Sequence, residues 1–507
     1  MSYQHYERIY DFSGGLNNRD FDPLLQDNES PDMCNVVLGK RGTFETRPGI
    51  IYFKNEPVVE GKSVTSIFEY IDPQGNTHFL AFAGDKLKKA TQDGWALVGE
   101  DLEEGSYLEF VTNPVTGKAL FVNHNDGYWE TDGNECNEVD PYEPTDDEKT
   151  EIGECVIPND PMLIAYHKYR VWLANVSDYP DRIYYSVDDI SGNTLYNYFT
   201  PSSWLRSSNP KGEGVTALVS FKERLYVFTK STIKVIVGSD LDDFSMIDFD
   251  QSIGTVSSRT VWNFGDHLIF LSADNDVYIF DGVSAPMKVS GRLEGTFNKI
   301  SAEYKYRACA ALHRGKYYLS IPESTVNDVT LVYDTEVVPL TYVGEKHSYV
   351  NSPWTLHKGF TPTQWLVGQD LNLYFASTDG YVYQYGIGTT DAGKAIEAYL
   401  CTKLIDLGTP DKVKRIRRLI LDARREEDSF INIEYKIDSE SNGWETLCRD
   451  VDLSKPIDRM FIYFPNSNRP LCRKIAFKIS NSYLGNVFRI NGFTIDMAVH
   501  GHHEERK

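Results

Sequence analysis

One unit recurs seven times between residues 65 and 386: a short apolar strand, a polar turn, then a second apolar strand. The copies begin at Phe79, Ala119, Leu163, Val215, Val261, Arg307 and Leu371, a spacing of about 45 residues. Few folds accommodate such a period. One unit of this length cannot bury its own apolar face, so neighbours must stack, and stacked antiparallel units close radially as the blades of a β-propeller. Inside the units, side chains alternate faces, as in Leu225–Phe228 and Ile233–Val237 about a turn at Lys230–Thr232. Asp93-Gly94, Asp126-Gly127 and Asp379-Gly380 are hairpin-turn dipeptides, since both positions tolerate positive φ. The alternative is a pair of β-sandwiches with similarly spaced hairpins. The regular period favours the propeller.

A chain of 507 residues exceeds one core, and its 32 Tyr and 26 Phe are strand-favouring residues. The expected fold is all-β, with three parts. Residues 1–64 form an extended N-terminal arm and first strands. Residues 65–390 form the propeller, with an acidic insertion near 130–160. Residues 391–507 form a β-sandwich with a flexible tail. Alternating runs such as Ile431–Ile437 and Ile475–Ile479, separated by Gly443 and Pro456, support the last assignment.

The arm is dense in turn signals and carries isolated apolar anchors, including Leu16, Phe21, Leu24 and Val36. Such a segment has no core. It is expected to lie pinned either on its own domain or on a neighbouring subunit. Leu16, Arg19, Phe21 and Arg47 are its candidate contact residues.

The net charge of −23 is unevenly spread. Residues 391–507 hold 20 basic and 18 acidic groups, whereas the other 390 hold 31 and 56. An acidic body argues against tight phosphate binding, which needs Lys/Arg clusters. It is compatible with a conduit that lets a duplex slide. The stretch 130–154 has eleven acidic residues against Lys149 alone and lacks a calcium-loop spacing, so it reads as a solvated surface insertion. A second acidic run supplies Asp240, Asp242, Asp243, Asp248 and Asp250, expected on an inter-unit loop as candidate channel-lining groups. The basic counterpart is Lys412, Lys414, Arg415, Arg417 and Arg418. Plain alternation places Lys414, Ile416, Arg418 and Ile420 on one strand face. The expected roles are a charge-protected edge or a dock for an acidic neighbour.

No catalytic pattern is present: GxSxG, HExxH, Walker A and DxDxDG are all missing. The expectation is a protein that is not an enzyme and takes no cofactor or metal. Seven cysteines without CxxC suggest reduced thiols, as in cytosolic assembly. No signal-peptide h-region or apolar run of membrane-spanning length appears, so neither export by a standard signal nor stable membrane insertion is expected.

Gly14–Leu16, Asn28–Val36 and Gly42–Gly49, in that order, resemble the N-terminal arm of a tailed-bacteriophage family. Its members are hub or nozzle proteins of short tails, also called tail tubular protein B or packaged-DNA-stabilisation proteins. The order Tyr169–Ala174, Pro180–Ser186, Leu225–Lys230 and Val277–Gly282 is similar to the same family's propeller. The resemblance implies a virion structural protein that forms a homo-oligomeric ring, six-fold in symmetry, below the portal and its adaptor. The ring would retain packaged DNA, guide its ejection with transient non-specific contact, and meet tail fibre or spike proteins. Assembly would take place in the host cytoplasm. The rival readings are a host-glycan-binding or glycan-cleaving propeller, and a minor tail or baseplate protein of a long-tailed phage.

Overall fold

A computed structural model describes residues 3–238, 243–337, 352–455 and 459–500. Seven four-stranded antiparallel sheets occur in chain order and form a β-propeller. Blade 1 spans 64–99, blade 2 109–138, blade 3 163–206, blade 4 217–250, blade 5 262–288 and blade 6 309–357. Blade 7 takes three strands from 362–385 and its outermost strand, Ile50–Tyr52, from the N-terminal segment. There Tyr52 pairs with Tyr383 and Ile50 with Tyr385. The ring of blades is thus closed by hydrogen bonds between distant parts of the chain.

Burial explains the strand sequences. Second strands such as Ala119–Asn123 and Arg170–Ala174 are buried at every position, because adjacent blades cover both faces. Outermost strands such as Cys136–Glu138 and Met287–Lys288 are mostly exposed. Hairpin turns fall where expected at Gly127 and Gly380, both at positive φ. Blades 3 and 4 turn without glycine, through Lys168-Tyr169 and Lys222-Glu223, all four residues at positive φ.

The middle of the propeller is bridged by side chains. The Ser258 hydroxyl, before blade 5, donates to Glu109 on the first strand of blade 2. The Arg259 guanidinium donates to the Thr363 carbonyl of blade 7 at 3.0 Å and lies 3.7 Å from the Tyr107 ring. Blades 2 and 5 are three steps apart around the ring, so such contacts cross its axis. Burial raises the Glu109 carboxyl above the usual range.

The sandwich is built from both ends of the chain. Its first sheet joins Arg459–Tyr463, Lys414–Ala423, Arg489–Val499, Phe44–Thr46 and Val36–Leu38, with Tyr3–Ile9 added to Arg489–Val499 and Leu471–Cys472 to Lys414–Ala423. Its second sheet joins Glu445–Asp452, Phe430–Ile437, Ile475–Asn481, Ala398–Cys401 and Asp32–Cys34. The arm is therefore woven into its own chain, which decides between the two expected placements for these strands. One continuous core links Met33, Phe44, Phe477 and Phe493 of the sandwich to Ile269 and Leu271 of blade 5, Tyr317 and Trp354 of blade 6, and Leu293 and Phe297 in the connection between those blades.

A clasp fixes the arm where it enters the propeller. Arg47 is 0% exposed. Its guanidinium grips Asp391 at 2.6 and 2.8 Å and donates to the Asn35 side chain and to the Pro48 and Lys358 carbonyls. All five N–H groups are used, and the Phe360 ring lies 5.0 Å away. Gly49 follows because a Cβ there would sit 2.1 Å from the Thr390 carbonyl.

Candidate interaction surface

The outer face of the seven-stranded sheet carries two of the basic residues singled out in the sequence, Arg415 and Arg418, beside Arg8 and Arg459. Strand pairing arranges it in rows. Tyr6 pairs with Asp496, Asp496 with Arg418, and Arg418 with Tyr463. In the next row Arg8 pairs with Thr494, Thr494 with Ile420, and Ile420 with Phe461. Arg415 pairs with Leu471 on one side of these rows, and Asp422 with Arg459 on the other. Directly paired residues share a face, so these side chains form one surface.

Its chemistry is unusual for a solvated sheet face, which normally presents polar residues. Tyr6 is 47% exposed, Phe461 53% and Tyr463 60%. Arg418 donates to Asp496 at 2.8 Å and to the Tyr463 hydroxyl at 3.2 Å, with its guanidinium 5.0 Å from the Phe461 ring. The Tyr463 and Asp496 contacts raise its pKa further. Gln4 also donates to the buried Asp496 carboxylate, at 3.2 Å. A concavity of 610 Å³ lies between Tyr6, Arg8, Tyr10, Ile420, Arg459 and Thr494. Aromatic and arginine side chains packed in this way are the residues that dominate protein–protein contacts.

The expected facing of the basic strand needs correction. Lys414 and Ile416 point inward with Leu419 and Leu421, while Arg415, Arg418 and Ile420 point outward. A β-bulge at Arg417 shifts the register between Ile416 and Arg418 against Met497 and Asp496. The extra residue changes the phase of alternation, so Lys414 and Arg418 lie on opposite faces. Lys414 is 0% exposed, and its ammonium donates to the carbonyls of Asp406, Thr409 and Arg473. Burial lowers its pKa. It has no surface to offer a neighbour. Lys412, in the turn before the strand, is half-buried.

The arm residues separate. Phe21 is 63% exposed, and Arg19 is exposed beside Asp20 at 2.9 Å. Leu16 lies in the core and Arg47 in the clasp, so neither offers a surface to a neighbour. Asp240 and Asp242 lie outside the described residues. Asp248 and Asp250 belong to Ser245–Asp250, the outermost strand of blade 4, rather than to an inter-unit loop. Asp248 is ion-paired with Lys234, and Asp250 accepts from the Ser252 and Ile253 amides. Asp243 occupies the turn before that strand. The alternation of Met246 and Ile247 about the sheet, with pairing to Ile233–Val237, makes this segment a strand despite its charge.

The acidic stretch 130–154 runs along the rim of blades 2 and 3. It contains the outermost strand Cys136–Glu138 and a short helix, Asp146–Glu151. Thr145 and Glu148 form a capping box at the helix start, and Glu148 also accepts from the Tyr142 hydroxyl at 3.1 Å.

A separate 400 Å³ pocket contains Asp328, Asp379, Asp391, Lys394, Tyr52 and Tyr383. Its carboxylates are engaged within the chain: Asp379 with the Tyr383 hydroxyl at 2.7 Å, Asp391 with Arg47, and Asp328 with Ser324. No group of three or more metal-ligating side chains occurs among the described residues. Among them, no helix is long and apolar enough to cross a membrane.

No family model and no curated protein matches the chain. Solved structures with propeller folds are similar in outline. BamB from Moraxella catarrhalis is 13% identical, with a TM-score of 0.36 over 70% of this chain and 94% of that one. The WD40 domain of Neurospora crassa Pan2 is 11% identical, with a TM-score of 0.38 over 67% and 95%. The extracellular domain of BT4673 from B. thetaiotaomicron is 9% identical, with a TM-score of 0.43 over 86% of this chain and 59% of that one.

Proposed function

We propose that this chain is a structural assembly subunit, the hub or nozzle protein of a short bacteriophage tail. The carrying observation is the exposed Tyr6–Phe461–Tyr463 sheet face with its arginines, which no other part of the chain covers among the described residues. The order of the arm and propeller motifs supports the finer reading. On that reading the chain forms a ring below the portal and adaptor, six-fold in symmetry, and meets a fibre or spike beyond. It holds packaged DNA and later passes it, without catalysis. The bridged propeller middle supports a passage formed between copies, since Arg259 and Glu109 occupy the centre of each propeller.

Electron microscopy of the purified chain tests this. Closed rings of one fixed copy number are expected, together with the same protein in purified virions by mass spectrometry. A chain that stays monomeric and binds or cleaves a host polysaccharide sinks the hub reading and favours the glycan alternative.

A further inference from the structure

The bare sheet face has its electrostatic complement elsewhere on the same chain. We infer that this face docks on the acidic rim of blades 2 and 3 of a second copy, in a head-to-tail joint. The inference rests on the assembly reading above and names the surfaces that make the contact.

The face carries Arg8, Arg415, Arg418 and Arg459 around exposed Phe461 and Tyr463. Against these four arginines stand two carboxylates, Asp496, buried beneath Arg418, and Asp422, which pairs across the strands with Arg459. The face is therefore positive and aromatic. The rim is its opposite. Glu138, Asp140, Glu143, Asp146, Asp147 and Glu151 are all exposed, with Lys149 as the single base in the stretch. The capping box and the Tyr142–Glu148 bond give this rim a fixed shape. An apolar contact is also present there, because Ile190 is 48% exposed and its amide lies 3.3 Å from Glu148. Complementary potential with an apolar centre is what a specific interface requires.

The two surfaces belong to separate parts of the chain. The sandwich packs on blades 5 and 6, three steps around the ring from blades 2 and 3, or roughly 150° in a seven-bladed propeller. One copy can therefore engage two others at once. Contacts between unlike patches are heterologous, and they build a ring where the rotation from copy to copy closes.

The test uses two full-length variants. Arg8→Glu with Arg459→Glu reverses the face, and Glu138→Lys, Asp140→Lys, Glu143→Lys and Glu151→Lys together reverse the rim. All six residues are exposed, so melting temperatures near wild type serve as the folding control. In sedimentation velocity, each variant alone should need about tenfold or more protein to assemble. An equimolar mixture should assemble near the wild-type concentration, because reversed face meets reversed rim and native face meets native rim. Variants that assemble like wild type, or a mixture that fails to recover, overturn this joint and leave the ring reading standing. A wild-type chain that stays monomeric overturns both.

Discussion

Arg47 carries a full charge into a dry site, and its surroundings account for every donor. Asp391 neutralises it, and Asn35, Pro48 and Lys358 take the remaining N–H groups. Those partners come from the arm, blade 6 and the start of the sandwich, so one side chain ties three regions. Arg47→Met should leave Asp391 charged and alone, at a cost of about 3–5 kcal/mol. Adding Asp391→Leu should recover most of that loss, since removing both charges removes the desolvation penalty as well. Urea melts of the single and double variants check this. A single variant as stable as wild type means the clasp is ornamental. The Arg-Pro-Gly run was legible in the sequence as a turn. Its burial was not, because an isolated arginine is usually solvated and its partner lies 344 residues away.

At the scale of elements, Arg417 decides which residues reach the surface. Ile416 and Leu419 both face inward although they are three apart, which plain alternation forbids. That spacing was the available signal of the bulge, and it outweighs the 414–416–418–420 reading. Deleting Arg417 should therefore be tolerated. Ile416, Arg418 and Leu419 would then alternate regularly, and the chief loss is the 3.1 Å bond from the Phe464 amide to the Arg417 carbonyl, about 1 kcal/mol. Deleting Ile420 should instead turn Leu421 and Ala423 outward and collapse the sheet. Thermal melts of the two deletions should differ widely, and equal melting temperatures would refute the bulge argument. Blades were readable because each repeats a local pattern. The sandwich was half-readable: its own strands alternate, but Tyr3–Ile9, Asp32–Cys34 and Phe44–Thr46 are arm segments with partners at the other end of the chain. No local pattern encodes that pairing. The same holds for Ile50–Tyr52, which closes blade 7.

Over the whole molecule, charge and shape act together. The acidic propeller repels phosphate, while the arginine-bearing sheet face attracts it. A free subunit exposes both, but a subunit whose face is covered by the next copy's rim exposes mainly acid. Affinity for DNA should therefore fall on assembly. Fluorescence anisotropy with a short duplex at about 0.15 M salt is the measurement, with Debye screening near 8 Å. The ring should bind more weakly than about 10⁻⁴ M, below the ordinary non-specific range. The free chain should bind more tightly, with a salt dependence that Arg8→Glu and Arg459→Glu abolish. Weak binding by the ring is what a passage needs, because every tight phosphate contact must be broken again as the duplex moves. Ring binding near 10⁻⁶ M, undiminished from the free chain, would place basic groups along the lumen and overturn the conduit reading.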